Sequence, residues 1–148
     1  MVRYLTATAA VATVSIASAG DIGVPGIEAQ LVDWFDSPMG LAQADGTFYV
    51  IEREGYVQIM GGGTFLDINT SVSTTWEGGL LGIAFHPDYP TDPRFYVHYT
   101  EPVGEFGLAS VVSEFQRSAG DPTIADRTSE RVILRVAQPA ANHNAVTG

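Results

Sequence analysis

Apolar residues along this chain come in short bursts split by turn chemistry. Residues 27–35 carry Leu31, Val32, Trp34 and Phe35 and predict a strand, broken by Ser37-Pro38. A regular rhythm follows. Residues 40–43 are short and apolar, Ala44-Asp45-Gly46 is a turn, and Thr47-Phe48-Tyr49-Val50-Ile51 reads as a strand from its β-branched and aromatic content. Glu52-Arg53-Glu54-Gly55 makes a second turn, residues 56–60 a third strand, Gly61-Gly62-Gly63 a third turn and residues 64–68 a fourth strand. Asp-Gly at such a point supplies the positive φ that a tight hairpin requires. The product is a four-stranded antiparallel meander.

After a polar linker at 69–75 the pattern returns. Met39-Gly40-Leu41-Ala42 matches Leu81-Gly82-Ile83-Ala84, and Phe48-Tyr49-Val50 matches Phe95-Tyr96-Val97. Asp45 and Asp88 sit in the loop of each copy, and Glu52 and Glu101 follow each second strand. Strands at 109–115 and 131–136 complete the second unit, with a longer excursion at 116–130 between them. A repeat of about forty residues made of four strands is the pattern of a β-propeller blade. One such sheet cannot bury both faces by itself, and stacking blades buries them against each other. The expected class is therefore all-β, with about two propeller blades and the start of a third. A closed propeller needs roughly 250–300 residues, so the chain reads as the N-terminal part of a longer protein or a truncated reading frame.

Composition narrows the function classes. The 148 residues are 45% apolar, enough for a packed core. There is no cysteine, so disulfides and thiolate metal sites are excluded. The formal charge is −10, and all seven Lys/Arg positions are arginine. Such a surface repels phosphate backbones and anionic membranes, which argues against nucleic-acid binding. Residues 1–19 stand apart: Arg3, then an uncharged Thr/Ala/Val/Ile run closing on Ala17-Ser18-Ala19. That layout predicts a secretory signal peptide cleaved after Ala19, leaving 20–148 as an exported, secreted or periplasmic chain. As a membrane anchor the run is short and weakly apolar, so no stable span is expected after cleavage.

Three groups of residues carry candidate chemistry. Glu77 opens the second blade just ahead of Gly78-Gly79, where a side chain is either a solvated loop acid or aimed at the propeller axis. His86-Pro87-Asp88 reads as a turn cap. Asn142-His143-Asn144 opens the third blade; it is either an exposed loop or a polar site whose histidine serves as a general base. His98, inside an aromatic strand, reads as a satisfied core or edge residue. Gly61-Gly62-Gly63 lies between strands and so is a turn, not a phosphate cradle. No zinc or Ser-His-Asp pattern is present.

The run Glu77-Gly-Gly-Leu-Leu-Gly-Ile-Ala-Phe-His-Pro-Asp-Tyr89, followed by Phe95-Tyr-Val-His-Tyr-Thr100 and Asn142-His-Asn144, resembles the glucose/sorbosone dehydrogenase family. Phe48-Tyr-Val-Ile-Glu-Arg-Glu-Gly-Tyr-Val57 is similar to that family's first-blade hairpin. The likeness covers residues 35–148. It implies a six-bladed propeller that binds pyrroloquinoline quinone (PQQ) on its axis, usually with calcium. It implies that His143 abstracts a sugar hydroxyl proton while hydride passes to the quinone and on to an electron acceptor. Glu77 and Asn142 would line the substrate and cofactor pocket. The family's cofactor-clamping cations and calcium ligands would lie beyond residue 148, so this stretch alone is expected to be inactive. The family's hedgehog-interacting branch implies an alternative, a non-catalytic propeller that binds a protein or carbohydrate partner.

Overall fold

The computed structural model describes residues 31–104 and 107–138. The proposed signal peptide and Asn142-His143-Asn144 lie outside the described residues. Eight strands form two four-stranded antiparallel sheets, and the described residues contain no helix. The first sheet is β1 (Pro38–Ala44), β2 (Thr47–Glu52), β3 (Tyr56–Ile59) and β4 (Thr64–Asp67), hydrogen-bonded in that order. The second is β5 (Leu80–Phe85), β6 (Arg94–Val103), β7 (Gly107–Arg117) and β8 (Ala125–Ala137), also in chain order. These are the two expected blades.

The first hairpin turns on Asp45 at φ 48° and Gly46 at φ 74°, the two consecutive positive angles of a two-residue type I′ turn. That turn pairs Ala44 with Thr47 and sets the register of Leu41 opposite Val50. The register breaks between Pro38 and Gly40, leaving Met39 as a bulge. In the second blade Ile83 lies opposite Val97 and the register breaks between Leu80 and Gly82, leaving Leu81 as the bulge. The repeat read in the sequence is thus a repeat of hairpin and bulge together.

The sheets stack face to face, β1 against β5 and β4 against β8. Alternation along β6 puts Phe95, Val97 and Tyr99 inward, each at most 2% exposed. They meet Tyr49, Ile51, Val57 and Phe65 of the first sheet. Rings carry much of this contact: Phe65 lies 5.1 Å from Phe95, Tyr49 4.5 Å from Phe85, and Phe95 stacks on Phe115 at 5.9 Å. Burying each such phenyl group stabilises by roughly 1.5–3 kcal/mol.

Three expectations fail. Residues 31–35, the described part of the expected 27–35 strand, form no strand, and Trp34 is 75% exposed. The excursion expected at 116–130 is mostly strand: β7 runs to Arg117 and β8 starts at Ala125, which pairs with it. Glu52 and Glu101 are not equivalent either. Glu52 ends β2 opposite Pro38, while Tyr99 holds the matching place opposite Leu80.

Candidate functional site

The loop into β5 is built from both sheets. Thr100 of β6 ties its two ends together. Its hydroxyl donates to Ser73 O at 2.8 Å and accepts from Gly79 N–H at 2.8 Å. Its backbone N–H donates to Gly79 O, and its carbonyl accepts from Ser73 N–H. Arg53, in the β2–β3 turn of the first sheet, reaches the same loop. Its Nε donates to Gly78 O at 2.9 Å, and its Nη2 donates to Thr74 O at 2.8 Å and to Trp76 O. Such charge-assisted bonds are stronger than neutral ones.

Two glycines allow that approach. A Cβ on Gly78 would lie 2.5 Å from Ser73 O and 2.6 Å from Thr100 Oγ1. Gly79, at φ 151°, would place a Cβ 2.7 Å from Arg53 Cγ. Trp76 takes φ 56°, uncommon for a bulky residue, and is 75% exposed. Glu77 follows it, exposed, three residues before β5. A carboxylate held on a rigid loop is a strong acceptor for hydroxyl groups. It repels the carboxylates of a quinone such as PQQ, so by its charge Glu77 is not suited to clamp that cofactor. His143 and Asn142 lie outside the described residues, so of the three expected site residues only Glu77 has a described position. No cluster of three or more metal-ligating side chains occurs among the described residues.

The other histidines divide. His86 caps its turn as expected, with Nδ1 accepting from Asp88 N–H at 3.2 Å and Nε2 lying 3.2 Å from Arg94 Nη2. Beside it runs a line of charges: Arg94 grips Asp92 at 2.5 Å and lies 3.8 Å from Glu114, which Arg131 holds at 2.8 Å. Hydrogen bonding from Arg94 pulls the Asp92 carboxyl down to about 2. Arg131 likewise holds the buried Glu114 below the usual carboxylate range. His98 differs from expectation. Its Nε2 is buried with no partner among the described residues, and burial lowers its pKa. The glycine run at 61–63 is the β3–β4 turn, tied by Gly61 N–H to Asp33 Oδ2 at 2.8 Å.

Arg53 is the residue that sequence reading missed. Its partners lie 21 to 25 positions downstream, and all are backbone carbonyls, which leave no trace in side-chain pattern. The signal that could have found it is an arginine set between two glutamates in a turn that leads nowhere charged.

Comparison with known proteins places these sheets. The Glucose / Sorbosone dehydrogenase family model matches residues 35–148. The human hedgehog-interacting protein is 33% identical over a region covering 77% of this chain and 19% of that protein. A Thermus thermophilus structure described as a putative oxidoreductase (glucose dehydrogenase) is 32% identical, with coverage of 78% of this chain and 33% of that one and a TM-score of 0.58. The PQQ-bound aldose sugar dehydrogenase of Streptomyces coelicolor is 25% identical, with coverages of 69% and 31% and a TM-score of 0.56. The chain therefore spans about a third of those solved structures and a fifth of the curated human relative.

Proposed function

Because this chain belongs to the glucose/sorbosone dehydrogenase family, we propose that it is part of an exported, PQQ-dependent sugar dehydrogenase built on a six-bladed propeller. The observation that carries the reading is Glu77, the first residue of the family-like run, exposed on a loop that hydrogen bonds tie to both sheets. The PQQ-bound S. coelicolor relative supports the cofactor. The layout of residues 1–19 supports export.

In this reading His143 accepts the proton of the sugar's anomeric hydroxyl through its neutral imidazole nitrogen. Asn142 orients that hydroxyl by hydrogen bonding. Glu77 accepts hydrogen bonds from neighbouring sugar hydroxyls and fixes the ring against the base. Bound PQQ would supply the acceptor for the hydride that leaves the anomeric carbon, and calcium would serve the cofactor through ligands of later blades. The expected product is the lactone, with electrons passed to a separate acceptor.

A second reading, a propeller that binds a partner without catalysis, is favoured by the likeness to the hedgehog-interacting protein. One experiment separates the two. Dye-linked oxidation of aldoses is measured on the whole protein with and without PQQ and calcium. A PQQ-dependent rate that falls ~100-fold or more in His143→Ala supports the enzyme. No rate and no PQQ binding removes it and leaves the binding reading.

A further inference from the structure

Glu77 stands on a loop whose backbone is pinned from the opposite sheet. Three peptide units surround the residue. The unit before it is held through Trp76 O, which accepts from Arg53. The unit after it is held by Gly78 N–H donating to Thr75 O at 2.9 Å. The next is held twice, by Gly78 O accepting from Arg53 Nε and by Gly79 N–H donating to Thr100 Oγ1. The arginine is itself fixed. Its backbone N–H donates to Ser37 O at 3.0 Å and its carbonyl accepts from Leu80 N–H at 2.9 Å, at the first residue of β5. A guanidinium is suited to this task because its donors lie in one rigid plane. A lysine would bring the same charge to a single point.

We propose that Arg53 is a positioning residue for the Glu77 carboxylate: it clamps the carbonyls of Thr74, Trp76 and Gly78 so that the next blade presents Glu77 in one orientation to the sugar. The proposal rests on Glu77 as a substrate-contacting residue. It adds that the first blade sets the geometry of a side chain contributed by the second. Small misplacements at a reacting centre are costly, and loss of orientation by about 1 Å can slow a reaction ~100-fold.

The test is a double-mutant cycle in the whole, PQQ-loaded protein, joined to a measurement that needs no activity. Glu77→Ala is expected to lower kcat/KM for an aldose ~30-fold, Arg53→Ala ~10-fold or more, and the double variant by no more than ~3-fold beyond the worse single, since each removes the same oriented contact. Arg53→Lys keeps the charge without the fork and should fall between wild type and Arg53→Ala; it also serves if Arg53→Ala folds poorly. The loop is read separately through Trp76, made the sole tryptophan by Trp34→Phe. Its fluorescence anisotropy should fall in Arg53→Ala and recover in part in Arg53→Lys. Independent, multiplying effects of the two substitutions would overturn the proposal and leave Arg53 as a brace between sheets. Unchanged Trp76 anisotropy would overturn it too. If Glu77→Ala keeps full kcat/KM while Arg53→Ala still loosens Trp76, the failure lies in the assignment of Glu77, and the positioning role falls with it.

Discussion

The two blades share a hairpin and a bulge, yet equivalent positions have different surroundings. Phe48 and Phe95 open the matching strands. Phe95 is fully buried between the sheets, whereas Phe48 is 40% exposed on the far face of the first blade. Ile51 and His98 are likewise matched, opposite Gly40 and Gly82. Ile51 is 2% exposed in the shared core, while His98 is half-buried on the face of the second blade turned away from the first. The repeat fixes backbone and register, and position in the stack decides what each side chain does. A blade is finished only by its neighbour.

Truncating the matched phenylalanines should separate the two blades most. Phe95→Ala should cost about 3–5 kcal/mol in urea unfolding, and Phe48→Ala no more than about 1 kcal/mol. Equal costs would mean that the two faces are equally covered. Exchanging the other pair comes next. Ile51→His places an imidazole without a partner in the core and should cost about 2–4 kcal/mol, whereas His98→Ile should leave stability unchanged or raise it.

A smaller effect is the pH dependence that His98 confers. Burial lowers its folded pKa, so the folded state binds fewer protons than the unfolded one. Its contribution is complete above the unfolded value of about 6.5 and is lost as pH falls from there through the folded value. His98→Ile should therefore flatten the unfolding midpoint between about pH 7.5 and 5; an unchanged slope would count against the buried imidazole. Smallest is Asp92. Its folded value of about 2 lies below the ordinary 3.8, so its stabilisation is present above about pH 4 and lost as pH falls towards 2. Asp92→Asn should reduce the acid sensitivity of the midpoint in that window, and only there.

The sequence was most legible where burial and turn chemistry agree. Thr47-Phe-Tyr-Val-Ile51 follows a positive-φ turn and its last three residues are buried, so both signals point to one strand. Reading failed where hydrogen bonding alone makes the strand. The first half of β8 carries Asp126, Arg127, Thr128, Ser129 and Glu130, and almost every residue of β8 is exposed. No apolar alternation marks it; pairing with β7 holds it in place. The reverse failure lies at Trp34, an apolar residue of the expected strand that joins neither sheet among the described residues. At the site, Glu77 was visible through its motif. Arg53 was not, because its partners are carbonyls gathered only by the stacking of the sheets.

The Asp45-Gly46 turn also bears on the order in which the molecule assembles. Two hairpins with nearly the same pattern invite exchange, β1 pairing with β6 or β5 with β2, a recognised route to misassembly in repeat proteins. Connection length discriminates between them. β1 and β2 are separated by two residues, β5 and β6 by residues 86–93. Closing the shorter loop loses less chain entropy, and hairpins of this kind form within about 1–10 μs. The first blade's hairpin can therefore close before any wrong partner arrives, leaving the second a formed sheet to dock on.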